Sequence, residues 1–168
     1  MANGCEFVEL VLGMQIDDGE VIISFDVEAL YTSRPIKGVL NIAHERLKND
    51  PTLEELTPSD DDGTVQLLQY CLTSTFCSFR GHLYNLTAEV AMGSPVSSVV
   101  VNLFMESFEQ KSLEDAKALS IAPKPWKRYV DNMFCLITRQ HATRMPTHMN
   151  AQEDNIRFTG EEEEETSS

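Results

Sequence analysis

Two apolar segments, each carrying an aspartate, constrain the fold of this chain more than any other feature. The first is VIISFDVEALY, from Val21 to Tyr31, and it is β-branched and apolar up to Asp26. This pattern predicts a buried central strand that ends at Asp26. The second is KRYVDNMFCLIT, from Lys127 to Thr138, and it predicts a β-hairpin with Asp131 at its tip. Together they are expected to place one carboxylate each at the same edge of a sheet.

Asp26 and Asp131 are the candidate metal ligands. Two carboxylates at one sheet edge can hold a pair of Mg²⁺ ions about 3.5–4 Å apart, the arrangement that catalyses phosphoryl and nucleotidyl transfer. Mg²⁺ is a hard cation that prefers oxygen ligands and keeps several waters. We therefore predict a two-metal site for Mg²⁺ or Mn²⁺. The structural alternatives are a strand cap at Asp26 and an acidic turn residue at Asp131.

A third segment, AMGSPVSSVVVNLFME from Ala91 to Glu106, lies between the two aspartates. The order FDVEALYTSRP, AMGSPVSSVVVNLFME and WKRYVDN resembles the palm of a reverse transcriptase. It is most similar to Penelope-like retroelement polymerases, which are similar to telomerase catalytic subunits, and the resemblance runs from about Val21 to Glu165. It implies an α+β polymerase palm, an antiparallel sheet backed by helices, with fingers and thumb largely missing.

The resemblance also implies roles around the incoming nucleotide. The backbone carbonyl of Val27 would reach a metal ion beside the two aspartates. Tyr31 would exclude a ribose 2′-hydroxyl sterically, or else be a core tyrosine. Gly93 and Ser94 would lie close to the template and the nucleotide, because glycine permits a close backbone approach. The alternative for these two residues is a simple turn that starts a helix.

Further matching residues would contact primer or template. By the resemblance these are Met92, Pro95, Lys127, Arg128 and Tyr129. Met92 stands where many reverse transcriptases have Gln, although Penelope-like sequences resemble this chain in having Ala-Met-Gly. Lys127 and Arg128 have exposed charges at the start of a strand as their alternative, and Tyr129 is expected to buttress the turn.

Asn132 is the departure from the family pattern, which has Asp at that position. Asn is neutral, so the site loses one negative charge that would help hold the second cation, and Asn132 could coordinate only weakly through its amide oxygen. The pair Asp26 and Asp131 remains intact. Together with the missing fingers and thumb, this favours a decayed or truncated copy of a retroelement polymerase.

Charge argues against strong binding of nucleic acid by this chain. The 168 residues carry a net charge of -14, and residues 1–33 contain no Lys or Arg. Affinity for phosphates comes largely from Lys and Arg that displace counterions. An RNA template, a DNA primer and deoxynucleoside triphosphates are therefore expected partners of the intact parent, and weak binding is expected for this chain alone.

The coarse organisation follows from periodicity and turn signals. We expect a remnant of the fingers or an N-terminal extension at 1–20, the palm at 21–160, and an acidic, disordered tail at 161–168. Helices are predicted at 37–48, from a cap within 59–63 to about 75, and from Pro95 to about Leu113. A hairpin is predicted around Arg80-Gly81, and an edge strand at 156–159.

Two other functional classes remain open. One is a catalytically dead remnant that acts as a protein-interaction domain, and the other is the palm of an RNA-templated RNA polymerase. The four cysteines show no zinc-binding spacing and indicate buried thiols in a reducing compartment. No convincing signal peptide or membrane-spanning run is present, so an intracellular protein, nuclear or cytoplasmic and without membrane contact, is expected.

Overall fold

The computed structural model describes residues 4–28, 30, 36–74, 76–85, 94–153 and 156–162. The elements in these residues are, in chain order, α1 (Gly4–Leu12), β1 (Glu20–Glu28), α2 (Ile36–Lys48), α3 (Leu53–Leu56), α4 (Asp61–Thr73), β2 (Phe76–Phe79), β3 (His82–Asn85), α5 (Pro95–Ala118), β4 (Trp126–Tyr129), β5 (Asn132–Thr138), α6 (Arg139–Ala142), α7 (Arg144–Asn150) and β6 (Arg157–Glu162). They fall into two compact units. The first contains the described residues up to Glu28 and from Lys111 onward, and the second contains those between Ala29 and Gln110.

The first unit is built on a four-stranded sheet with the strand order β4-β5-β1-β6. All its neighbours are antiparallel, and β1 pairs with β5 on one side and with β6 on the other. β4 and β5 form the predicted hairpin, and β6 is the predicted edge strand. Helices accompany this sheet, so the coarse prediction of an α+β fold with an antiparallel sheet is confirmed.

Alternation along β1 decides which face of the sheet is buried. The side chains at its odd positions are buried and those at 24, 26 and 28 are exposed. The buried face continues onto β5, where Met133, Cys135 and Ile137 lie opposite the buried residues of β1. This period of two is the strand periodicity that the sequence displays. It puts Asp26 on the solvent-facing side.

Phe25 is the centre of the buried face, with only 1 % of its surface exposed. Its ring stacks on Trp126 of β4, with the ring centroids 5.7 Å apart. On the opposite side of β1 it lies over Gly160 of β6, its direct cross-strand partner. A Cβ at Gly160 would lie 2.8 Å from Phe25 Cε1, which is too close for two non-bonded carbon atoms. Glycine is required there because the ring fills the space of a side chain.

The outer edge of β6 is covered by a side chain of α7. The Asn150 amide nitrogen donates to the Phe158 carbonyl oxygen at 3.1 Å, and the Phe158 N–H donates to Asn150 Oδ1 at 2.7 Å. The Asn150 side chain thus takes the place of a neighbouring strand at Phe158. Without it, this edge of β6 would expose unpaired backbone groups. Neither α6 nor α7 was predicted from the sequence. Their buried residues Ala142, Met145 and Met149 do have helical spacing, but Pro146 obscured it.

Two predicted boundaries differ from the structure. β1 does not end at Asp26 but continues to Glu28, because β6 offers pairing partners up to Arg157. β6 in turn runs to Glu162, two residues into the segment predicted to be a disordered tail. The backbone of β1 at Ser24 and Ile23 pairs with these two glutamates, so strand pairing overrides their acidic composition. Residues 163–168 lie outside the described part of the chain.

The second unit confirms the predicted helices α2 and α4. Asp60 caps α4, because its side chain accepts a hydrogen bond from the Gly63 N–H at 2.8 Å. His44 Nε2 lies 3.3 Å from the Asp61 carboxylate and 3.2 Å from that of Asp62, which links α2 to α4.

The helix after Ser94 begins at Pro95 as predicted but ends at Ala118, beyond the predicted Leu113. It closes with a Schellman arrangement: the Ile121 N–H donates to the Ala116 carbonyl and the Ser120 N–H to that of Lys117. Ser120 has φ 57°, the left-handed conformation of this motif. Glycine is the usual residue at this position and marks the end of a helix in a sequence. Because serine occupies it here, the end of α5 was not recognised.

The sequence predicts buried thiols, but of the two cysteines whose side chains are described, one is buried and the other is exposed. Cys135 is fully buried in β5, and loss of hydration there raises the pKa of its thiol to about 12, so it stays protonated and inert. Cys71 on α4 is exposed. None of the helices in the described ranges is long and apolar enough to cross a membrane.

We predict that Gly160→Ala destabilises the first unit by about 1–3 kcal/mol, because its Cβ would overlap the Phe25 ring, which Trp126 holds on its other side. Urea unfolding measures this loss. Thr159→Ala, at the adjacent exposed position, should change stability by less than about 0.5 kcal/mol. In a Phe25→Leu background the Gly160→Ala penalty should shrink, and an unchanged penalty would contradict the proposed clash.

We predict that Asn150→Ala costs about 1–3 kcal/mol, because it leaves two part-buried backbone groups of Phe158 without partners. Hydrogen exchange of the Phe158 amide should accelerate in this variant. Asn102→Ala is the matched control, since it removes a side-chain bond to Glu106 and leaves no backbone group unpaired. Equal effects of the two variants would argue against an edge-capping role.

Candidate metal site at the sheet edge

The hairpin between β4 and β5 turns through Val130 and Asp131, and Tyr129 pairs with Asn132 on either side of the turn. Val130 has φ 57°, a left-handed conformation that β-branched residues rarely adopt. Arg128 Nη1 donates to the Val130 carbonyl oxygen at 3.2 Å and helps to hold this turn. Backbone strain of this kind costs on the order of 1–3 kcal/mol and persists only where the surrounding structure enforces it.

Asp26 lies directly opposite Asn132 in the pairing of β1 with β5. The neighbouring pair, Val27 and Asp131, is hydrogen-bonded, because the Val27 N–H donates to the Asp131 carbonyl oxygen at 3.1 Å. In an antiparallel ladder the two kinds of pair alternate, so Asp26 and Asn132 form a non-hydrogen-bonded pair, in which side chains stand closest. The Asp26 carboxylate and the Asn132 amide therefore project side by side on the exposed face.

Asp131 joins this group through its neighbour. Asn132 Nδ2 donates to Asp131 Oδ1 at 3.0 Å, so the amide side chain contacts one aspartate and lies opposite the other. In a strand, the N–H and C=O of one residue point to the same side, and the Val27 carbonyl therefore also faces the turn. Strand pairing and two hydrogen bonds thus place Asp26, Val27, Asp131 and Asn132 near one another at one sheet edge, and their role as metal ligands stays a prediction.

The donor set of this edge suits a hard cation but is sparse. Carboxylate, amide and backbone carbonyl oxygens are the ligands that Mg²⁺ and Mn²⁺ accept. Among the described residues, however, no group of three or more His, Cys, Asp or Glu side chains is arranged to hold a metal ion. An ion here would depend on Asn132, the Val27 carbonyl and water in addition to the two aspartates. The residues fit weak coordination better than a tight two-metal site.

The basic residues of β4 lie on opposite faces of the sheet. Lys127 pairs with Phe134 and so shares the face of Asp26, whereas Arg128 pairs with Met133 on the buried face. Of the two, only Lys127 shares the exposed face with Asp26. Tyr129, which is expected to buttress the turn, is 66 % exposed. Its side chain instead extends the exposed row that contains Asn132.

Two residues of this face were not predicted from the sequence. Thr159 of β6 lies opposite Asp26 and is exposed, a position that alternation along the predicted edge strand could have assigned. Phe134 of β5 meets Phe7 of α1 edge to face, with ring centroids 5.2 Å apart. This contact places α1 against the same face, two residues along β5 from Asn132. No local sequence signal connects α1 to β5.

The remaining predicted site residues belong to another part of the chain. Tyr31, Met92 and Gly93 lie outside the described residues. Ser94 and Pro95 are in the second unit, where the Ser97 N–H donates to the Ser94 carbonyl oxygen at 3.1 Å in the first turn of α5. Their roles in nucleotide, primer or template contact stay predictions.

No family model matches this sequence, and no curated protein matches it either. Among solved structures, the fold is similar to that of apo telomerase from Candida tropicalis, truncated from the C-terminal domain, with a TM-score of 0.56 and 13 % sequence identity. The match covers 89 % of this chain and 32 % of the telomerase chain, so this chain spans about a third of that protein. At this identity the likeness establishes a shared fold.

Proposed function

We propose that this chain is the palm of a reverse transcriptase-like polymerase, derived from a Penelope-like retroelement, whose intact parent carries out RNA-directed DNA synthesis. The observation that carries the proposal is the strand register that brings Asp26 opposite Asn132 and ties Val27 to Asp131. The order of the three sequence motifs and the fold likeness to a telomerase structure support it.

In this proposal Asp26 and Asp131 hold divalent cations, with Val27 and Asn132 as weaker oxygen donors. Mg²⁺ or Mn²⁺, when bound, would activate the primer 3′-hydroxyl and neutralise the leaving pyrophosphate. Lys127, on the same face as Asp26, would position the primer backbone, and Tyr129 would offer an exposed ring beside it. Tyr31, Gly93 and Ser94 would shape the site for the deoxynucleoside triphosphate.

Charge limits what the chain can do alone. A net charge of -14 repels the phosphates of primer and RNA template, and Lys127 adds one cation to the face that carries Asp26. We therefore propose weak binding of primer and template by these 168 residues. Positioning supplies much of the rate in phosphoryl transfer, so weak binding also implies little polymerisation.

A metal-free interaction domain is the second candidate, and one contact favours it. The Asn132 amide already satisfies an Asp131 oxygen at 3.0 Å, so the turn is stabilised without a cation. An aspartate at position 132 would instead face Asp131 with a like charge. A sequence that has exchanged this residue for asparagine has lowered its dependence on metal, which is the change expected of a copy that no longer polymerises.

We predict weak Mn²⁺ binding that depends on both aspartates. Asp26→Asn and Asp131→Asn keep the side-chain shape and remove one charge each, and each should weaken binding at least tenfold with the fold unchanged. Paramagnetic enhancement of water proton relaxation measures the affinity, and circular dichroism checks the fold. Asp18→Asn, at an exposed position before β1, is the control for a general loss of negative charge. Equal binding by all four proteins would refute the metal site.

We predict that Asn132→Asp raises Mg²⁺ affinity and lowers metal-free stability. The new carboxylate adds a ligand, but it replaces the donor to Asp131 and lies opposite Asp26, and like charges in such pairs destabilise a sheet. Calorimetric melts with and without Mg²⁺ reveal both effects. Asn132→Ala removes the amide without adding charge, so it should lower stability and gain no affinity. If Mg²⁺ stabilises Asn132→Asp no more than the wild type, position 132 does not face the cations.

A further inference from the structure

The β2–β3 hairpin of the second unit exposes several large apolar and aromatic side chains. In the described part of the chain these two strands pair only with each other. Phe76, Phe79 and Leu83 are 62 %, 60 % and 78 % exposed, and Tyr84 is half exposed. An isolated two-stranded hairpin is marginally stable in water, and exposed aromatic groups on it commonly mark a binding surface.

The strand register sorts these side chains onto two faces. Phe79 lies opposite His82, and Tyr84 lies two residues beyond His82 on β3, so these three share one face. Phe76, Ser78 and Leu83 occupy the other face. On the first face Phe79 and Tyr84 are diagonal neighbours, a relation in which residues are about 7–8 Å apart.

Arg80 provides a cation at the turn of the hairpin, next to the first face. The hairpin turns through Arg80 and Gly81, with φ values of 51° and 80°, which is the type I′ pattern. This turn carries the Arg80 guanidinium over the Phe79 ring, 5.2 Å from its centroid. The guanidinium and the ring thus form a cation–π pair on the face that also carries His82 and Tyr84. Arg is a side chain that both contacts phosphates and stacks on bases.

Charge distinguishes this hairpin from the rest of the protein. The chain contains 27 Asp and Glu residues, yet residues 63–88 contain none. That is its longest stretch without an acid, and Arg80 and His82 lie within it. The acidic residues elsewhere in the chain repel a polyanion. The hairpin itself contains no carboxylate that would do so.

We propose that the face formed by Phe79, Arg80, His82 and Tyr84 binds single-stranded nucleic acid. Bases would stack on the two aromatic rings, and phosphates would pair with Arg80. Exposed aromatic side chains on a sheet with nearby cations are the usual means of binding a single strand without sequence preference. The inference goes beyond the proposed function, because it uses none of the residues of the carboxylate edge.

The chemistry sets the expected salt dependence. Each phosphate neutralised on a single strand contributes a slope of about -0.7 to the plot of log affinity against log salt. Engagement of Arg80 alone therefore gives a shallow slope of about -0.7, far below that of a groove lined with basic residues. Stacking would supply most of the affinity.

The test is fluorescence anisotropy of a labelled eight-nucleotide oligouridylate and the matching oligothymidylate at low salt, with the full chain. Phe79→Ala and Tyr84→Ala should each weaken binding on the order of tenfold. Phe76→Ala is the matched control, because it removes an equally exposed ring from the opposite face, and it should change affinity less than twofold. Arg80→Gln should flatten the salt slope by about 0.7.

Several outcomes would overturn the proposal. These are no binding by the wild type, equal losses from Phe76→Ala and Phe79→Ala, or preference for a duplex of the same length. Sedimentation velocity provides another: a wild-type dimer that Phe79→Ala dissociates would make the face an interface between copies of this chain. Preference for one oligonucleotide over the other would identify RNA or DNA as the ligand. Mn²⁺ binding at Asp26 and Asp131 is measured separately, so either idea can fail alone.

Discussion

The register between β1 and β5 is the constraint on which the rest of the first unit depends. A slip of one residue would send Asp26 into the core and Phe25 into water, since successive side chains of a strand point to opposite faces. Pairing on both sides of β1 and the bond from the Val27 N–H to the Asp131 carbonyl prevent such a slip. The same pairing that buries the core therefore also sets the distance between the two candidate ligands.

Core packing reinforces the register from the other face. Phe25 is held between Trp126 and the space over Gly160, so three strands are fixed relative to one another by one aromatic side chain. Asn150 then attaches α7 to the outer edge of β6. These contacts lie on the other side of the sheet from the exposed carboxylates, so the edge that carries the candidate ligands is held by groups that take no part in the proposed site. A rigid support of this kind is what precise positioning of ligands requires.

Local patterns in the sequence predicted the strands in which apolar and polar residues alternate and the helices in which apolar residues recur at helical spacing. Contacts between distant segments determine the remaining features of the fold. Alternation identified β1 and the hairpin around Asp131, and Pro95 marked the start of α5. The bond between Asn150 and Phe158 and the contact of Phe7 with Phe134 join distant or differently structured segments, and no periodicity encodes them. The pairing of His44 with Asp61 escaped prediction for the same reason, because it depends on the packing of α2 against α4.

Asn132 shows how one neutral side chain can change what a sheet edge is suited to do. Two aspartates near each other on a surface of net negative charge repel, and a bound cation is one way to relieve that repulsion. The amide of Asn132 offers another, because it donates to Asp131 while facing Asp26 without adding charge. The strained Val130 turn can then persist in the absence of metal. If the proposed metal site exists, stability without metal and affinity for metal would oppose each other at position 132, where asparagine favours the former.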